Sequence, residues 1–117
     1  MKLYRFHDNR DSEWLKKYND VIRKAEEGLL YEGKADEHMT LHHIIPRSVD
    51  MSLKDDKMNH VYLSFYDHAM MHYWMWKHDR KYARQLWFIA VYGRKHGLWD
   101  FPEGEQEYEQ LKYDLRQ

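Results

Sequence analysis

Apolar side chains recur every three or four residues between positions 11 and 27, and this spacing predicts an amphipathic helix. Asp11 or Ser12 can cap its first turn, because a short polar side chain accepts a hydrogen bond from a free backbone N–H there. Gly28 can end the helix. Residues 28–38 contain two glycines and predict a connector.

The hydrophobic pattern changes over the next thirty or so residues. Residues 39–45 are short and partly β-branched, and Pro46 ends them. Residues 60–64 alternate apolar with less apolar side chains. We therefore expect two strands of a β-hairpin, joined by a polar loop over 47–58.

Helical spacing then returns and continues to the end of the chain. We expect helices from Phe65 to Lys77, over 80–93 with Gly93 as its end, and over 103–116. Large apolar side chains in the first two predict core packing more than a base-stacking surface. They are Met70, Met71, Trp74, Met75, Trp76, Trp87 and Phe88. The pattern predicts an α+β fold that is mostly helical, in the order helix, hairpin and three helices.

Composition limits the class of protein. The chain has 117 residues, which favours one domain over 1–117. It has no cysteine, which excludes disulfides and Cys-type zinc sites. No apolar run is long enough to cross a bilayer, so we expect a soluble, intracellular protein. The net charge of −1 does not indicate a nucleic-acid binder by itself, although residues 61–100 hold six Lys or Arg against three acidic residues and 101–117 hold two against five.

The chain contains nine histidines, and four of them form a pattern. His68 and His72 lie four residues apart on a predicted helix, where two imidazoles can bind one divalent ion. His42 and His43 are adjacent in a predicted strand, so their side chains point to opposite faces. If His42 turns toward the helix, it completes a three-histidine site with an open position, which is typical of catalytic metals.

His43 would then stay off the metal, and a phosphodiester fits between the ion and this imidazole. The ion would neutralise charge on the phosphoryl and leaving oxygens. A free imidazole titrates near pH ~6.5 and can take a proton from the attacking water.

These residues resemble the HNH nucleases, the ββα-metal or His-Me finger group. The resemblance rests on HHIIPRS at 42–48, then Asn59 followed by VYL, then His68-x-x-x-His72. It is closest to small bacteriophage-type HNH enzymes, including homing endonucleases. It implies a ββα-metal core over about 38–78, flanked by an N-terminal helix and C-terminal helices.

The resemblance assigns a role to each matching residue. It implies that His43 is the general base, and that His42, His68 and His72 bind the metal. Asn59 matches the residue that holds the hairpin loop behind the base.

The resemblance also implies a basic contact to DNA phosphate at Arg47. Lys54, Lys57, Arg80, Lys81 and Arg84 are further candidates for a DNA-facing groove. The chain departs from many relatives in two ways. It has Val-Asp-Met-Ser where they have a glycine pair, and it lacks their cysteine pairs, so its loop can differ in shape and its core must be held by packing.

We therefore expect an endonuclease that hydrolyses double-stranded DNA with one divalent ion. Mg²⁺ or Mn²⁺ would serve in catalysis, while Zn²⁺, Ni²⁺ or Co²⁺ could occupy the site. We expect a monomer or weak homodimer in the cytoplasm of a bacterium or phage-infected cell, with no membrane partner. The alternatives are a non-specific toxin-like DNase, and a non-catalytic metal-binding or DNA-binding module of a phage assembly.

Overall fold

The elements follow the predicted order of helix, hairpin and three helices. The computed structural model describes residues 2–30 and 39–117, so most of the predicted connector over 28–38, and the first residue of the predicted 38–78 core, lie outside the described residues. The elements are α1 (Glu13–Glu26), β1 (Thr40–His43), β2 (His60–Leu63), α2 (Phe65–His78), α3 (Ala83–His96) and α4 (Glu105–Asp114). The α+β class with a two-stranded antiparallel sheet is thus confirmed.

The chain divides into two compact units, residues 1–64 and residues 65–117. The single domain expected over 1–117 remains a prediction. Among the described helices, none combines the length and the apolar character that crossing a bilayer requires.

Helix α1 begins two residues later and ends one residue earlier than the predicted range 11–27, and Ser12 is its N-cap as predicted. The Ser12 hydroxyl accepts a hydrogen bond from the Leu15 backbone N–H at 3.2 Å, which satisfies one of the free donors of the first turn. Leu15, Tyr18 and Ile22 are buried along one face. Gly28 follows with a φ of +69°, a left-handed conformation that favours glycine.

The register of the hairpin sends its two adjacent histidines to opposite faces, as the alternation predicts. His42 pairs with Val61, and both are buried. His43 pairs with His60, and both are half-buried. Side chains alternate along a strand, so one face of the hairpin belongs to the core of this unit and the other is only partly covered.

The polar segment between the strands is more ordered than the predicted loop. It contains two 3-10 turns, Met51–Leu53 and Lys57–Asn59. The N-terminal segment holds the second turn, because the Tyr4 N–H donates to the Met58 carbonyl at 2.9 Å and the Tyr4 hydroxyl donates to Asp56 at 2.6 Å. The Tyr4 hydroxyl, and after it the Met58 backbone N–H that donates to the same carboxylate, hold the pKa of Asp56 below its usual range.

The second unit is built around large aromatic side chains. Its core includes Phe65, Ala69, Tyr73, Trp76, Ala83, Leu86, Ala90, Trp99, Phe101 and Leu111. Met71 and Met75 are buried, and Met70, Trp74 and Trp87 are partly buried against this core. The prediction of a core position for Phe88 is wrong, since this ring is 69% exposed. Leu86 and Ala90 define the inward face of α3, and Phe88 lies about 160–200° around the helix from them.

A buried carboxylate connects α4 to α2. Glu107 accepts hydrogen bonds from the Tyr73 hydroxyl at 2.7 Å and from the Lys77 ammonium at 3.0 Å, and also from the Glu103 backbone N–H. These partners offset the cost of burying its charge. Burial and the contact with Glu107 raise the pKa of Tyr73 above its usual value.

The predicted end of α3 at Gly93 is wrong, because the helix continues to His96 and ends at Gly97 with a φ of +66°. Gly93 lies inside the helix for a packing reason. A Cβ at this position would lie 2.9 Å from Phe65 Cε1 and 3.1 Å from Trp99 Cβ. The glycine therefore allows close approach and does not mark the helix end.

Replacement of Gly93 tests this assignment. We expect Gly93→Ala to destabilise the protein by about 1–2 kcal/mol, because overpacking outweighs the gain in helix propensity. Urea denaturation followed by circular dichroism measures the change. Gly97→Ala is the matched control, since no atom lies within 4 Å of its Cβ position and only the left-handed backbone is strained. A stabilised Gly93→Ala protein would contradict the packing explanation.

Candidate metal centre and general base

His68 and His72 face each other on α2. Their Nε2 atoms are 3.1 Å apart, and both rings are half-buried. Two nitrogens that bind one cation at about 2.1 Å lie about 3.0–3.4 Å apart in octahedral or tetrahedral geometry. The same distance also suits an N–H···N hydrogen bond between neutral rings. The pair therefore has the spacing of two adjacent metal ligands.

The His72 ring favours its neutral form. Burial, and to a smaller extent the neighbouring His68 ring, lower the pKa of His72 to about 3. A neutral imidazole keeps an unshared electron pair, and metal coordination requires that pair. His72 can therefore act as a ligand without first losing a proton at neutral pH.

His42 is held in one tautomer by Tyr18. The Tyr18 hydroxyl has one hydrogen and donates it to the Ile44 carbonyl at 2.6 Å, since a carbonyl can only accept. His42 Nε2 lies 2.7 Å from the same hydroxyl oxygen, so this nitrogen must carry the donated hydrogen. The electron pair of the ring is consequently on Nδ1. A second partner that fixes the tautomer in this way is typical of metal-binding histidines.

One ring nitrogen from each of His42, His68 and His72 forms a group in which all three lie within 4.8 Å of one another. These are the three residues that the sequence predicts as metal ligands. Neutral imidazoles suit Zn²⁺, Ni²⁺, Co²⁺ or Mn²⁺, and three protein ligands leave room for water or substrate. The donor set thus fits a divalent cation with at least one open position.

His43 is oriented by a backbone carbonyl. Its Nε2 lies 3.0 Å from the Lys54 carbonyl oxygen. That oxygen can only accept, so Nε2 carries the hydrogen and Nδ1 keeps the electron pair. His43 therefore presents one basic nitrogen, which is what a general base requires.

Asn59 holds the two ends of the segment that joins the strands. Its fully buried side chain accepts from the Ile45 N–H at 2.8 Å and donates to the Ile45 carbonyl at 3.1 Å and the Leu53 carbonyl at 3.3 Å. The backbone N–H of Ile44 also donates to the Asn59 carbonyl at 2.9 Å. These contacts match the hairpin-holding role expected for Asn59, and they leave its amide engaged with backbone groups.

Two neighbours of the candidate site were not predicted from the sequence. Tyr18 belongs to the amphipathic helix predicted over 11–27, and His60 stands at the start of the second predicted strand, and neither position by itself signals a contact with the site. A buried tyrosine hydroxyl needs a hydrogen-bond partner, which is a signal for Tyr18. The pairing of His42 with Val61 places His60 opposite His43, but this register becomes known only from the fold.

The predicted DNA-binding residues fall into two groups. Arg47, Lys54 and Lys57 are exposed on the 47–58 segment and form no ion pair with any other residue of 2–30 and 39–117. The second group is Arg80, Lys81 and Arg84. These three residues line an open cavity of about 610 Å³ in the second unit. Asp114 and Tyr113 line the same cavity. Arg80 Nη1 lies 3.6 Å from Asp114 Oδ1. The side chains of Arg80 and Lys81 are largely exposed.

Comparison of the chain with protein-family models, with curated proteins and with solved structures gave no match. What the chain does is therefore inferred from its own residues and their geometry. Membership of the HNH nuclease group remains a prediction.

The role of Tyr18 can be tested by removing one oxygen atom. We expect Tyr18→Phe to weaken Zn²⁺ or Ni²⁺ binding by about 10- to 100-fold, because the His42 tautomer is no longer fixed. Isothermal titration calorimetry measures the affinity. Tyr4→Phe is the matched control, since it removes a hydroxyl hydrogen bond to Asp56 and leaves His42 untouched. Equal affinities for the two variants would refute the role of Tyr18.

The role of Asn59 can be tested by an exchange that keeps the shape. Asn59→Asp should destabilise the protein by about 2–4 kcal/mol, because a buried carboxylate cannot donate to the two carbonyls. Asn19→Asp is the control: Asn19 makes a similar pair of contacts with the Phe6 backbone but is only partly buried. Urea denaturation compares the two. A loss for Asn59→Asp no larger than that for Asn19→Asp would count against the clamp.

Proposed function

We propose that the chain is a metal-dependent endonuclease of HNH type that hydrolyses DNA phosphodiester bonds. The observation that carries the proposal is the three-histidine group of His42, His68 and His72. His43, on the opposite face of the same strand, supports it further. A site that only bound a metal would not need a second, unligated imidazole held in one tautomer on the same strand.

The proposed fold of this core is ββα-metal, with the hairpin and α2 spanning about residues 38–78. A divalent cation held by the three histidines would neutralise charge on a phosphoryl oxygen and on the leaving oxygen. Mg²⁺ and Mn²⁺ are the proposed ions in the cell. Zn²⁺, Ni²⁺ and Co²⁺ are expected to bind the imidazoles at least as tightly.

His43 performs the proton transfer in this proposal. Its Nδ1 accepts a proton from the attacking water while its Nε2–H remains bonded to the Lys54 carbonyl. The water oxygen forms a bond to phosphorus, and the bond from phosphorus to the 3′ oxygen breaks. That oxygen takes a proton from solvent, which leaves 5′-phosphate and 3′-hydroxyl ends. A correctly placed base contributes about 10²–10⁴-fold to such a step.

The proposed substrate is double-stranded DNA. Arg47, Lys54 and Lys57 are exposed on the segment that also carries the carbonyl partner of His43, and this supports the proposal that they contact phosphates near the reacting one. Arg80, Lys81 and Arg84 would contact the backbone elsewhere. We propose a homing-type enzyme of a bacteriophage, working as a monomer or weak homodimer in the host cytoplasm.

Plasmid cleavage with Mg²⁺ or Mn²⁺ tests the proposal. We expect the chain to nick or linearise plasmid DNA, and EDTA to abolish this. His43→Ala should reduce the rate at least about 100-fold, because it removes the base. It should bind metal with unchanged affinity by calorimetry. His7→Ala, which removes an exposed imidazole of the same unit, is the control and should cleave normally.

The outcomes separate the proposed enzyme from its alternatives. Metal binding without any cleavage would indicate a non-catalytic metal-binding module. Normal cleavage by His43→Ala would refute the proposed base. Cleavage that persists in EDTA would remove the metal centre from the mechanism.

A further inference from the structure

We infer that His60 is a positioning residue for the proposed base, and that it acts by holding the Lys54 carbonyl and the edge of the His43 ring. This inference rests on the proposed nuclease function. His60 is the half-buried cross-strand partner of His43 and is not one of the three histidines of the candidate metal group.

The first support is the contact between the two rings. His43 and His60 are directly opposite each other in the antiparallel register. Their ring centroids are 5.0 Å apart, and the planes meet at 82°, an edge-to-face arrangement. Cross-strand partners on one face restrict each other's rotamers. Rotation of His43 away from its position would lose this contact.

The second support is a shared acceptor. The Lys54 carbonyl oxygen lies 2.7 Å from His60 Nε2 and 3.0 Å from His43 Nε2. A carbonyl oxygen has two electron pairs and can accept from both rings. The shorter of the two bonds is that of His60, so the His60 bond is the stronger of the two side-chain restraints on this carbonyl. The Lys54 carbonyl is thus oriented by His60 as the acceptor for the Nε2–H of His43.

The carbonyl itself sits in a well-held part of the chain. The Lys54 N–H donates to the Met51 carbonyl at 3.2 Å, and Asn59 Nδ2 donates to the neighbouring Leu53 carbonyl. The Tyr4 hydroxyl donates to the carboxylate of Asp56, which follows Lys54 by two residues. These contacts hold the chain on both sides of the Lys54 carbonyl, and His60 adds a hydrogen bond to the carbonyl oxygen itself. Precise orientation of a catalytic group is worth a sizeable part of the rate.

Two substitutions at His60 test the inference in the full-length protein. We expect His60→Ala to lower kcat for plasmid cleavage about tenfold with little change in KM, because the base is misoriented and no DNA contact is lost. His60→Gln keeps an N–H that can reach the carbonyl, and it should recover at least part of this loss. Metal affinity should match wild type in both variants, and His7→Ala again serves as the control.

A measurement without substrate separates this inference from the proposed function. Nitrogen-15 NMR of the imidazoles reports which ring nitrogen carries hydrogen. We expect wild-type His43 to be protonated at Nε2 and His60→Ala to show a mixture of tautomers. If the wild type does not cleave DNA, the proposed function fails, while this NMR comparison still decides the positioning role.

Three results would overturn the positioning role. One is wild-type kcat in His60→Ala. Another is a higher KM at unchanged kcat, which would make His60 a DNA contact instead. The third is an unchanged His43 tautomer in folded His60→Ala protein.

Discussion

The side chain of Asn59 holds the start and the end of the 44–59 segment together, and both histidines of the motif depend on it. Three side-chain hydrogen bonds to Ile45 and Leu53 fix where the segment leaves β1 and where it returns to β2. The register of the hairpin follows from this closure. A slip of one residue would exchange the faces of His42 and His43, and with them the proposed ligand and the proposed base.

Carbonyl oxygens determine which nitrogen of each of these two rings carries hydrogen. The Ile44 carbonyl takes the only hydrogen of Tyr18, so the Tyr18 oxygen receives the Nε2–H of His42. The Lys54 carbonyl receives the Nε2–H of His43 directly. Both rings consequently keep their electron pair on Nδ1. Because a carbonyl can only accept, these tautomers need no charged group nearby.

The second unit shows how a cysteine-free chain supports helix α2. Aromatic side chains fill its core, and Gly93 lets α3 approach Phe65 and Trp99 closely. Glu107 connects α4 to Tyr73 and Lys77 on α2. The helix that carries His68 and His72 is therefore held by packing and by a buried hydrogen-bond network.

Local signals in the sequence were sufficient for the elements and for the ligand spacing. Helical periodicity and Ser12 predict α1, and Pro46 marks the end of the first strand of the hairpin. Helix geometry alone places His68 and His72, four residues apart, on the same face of α2. They were misleading at Gly93, because a glycine needed for close packing looks the same as one that ends a helix. Tertiary structure alone decided that Tyr18 meets His42 and that His60 meets His43 across the strands. Each of these contacts joins residues distant in sequence, and only the completed register and packing bring them within hydrogen-bond or ring-contact distance.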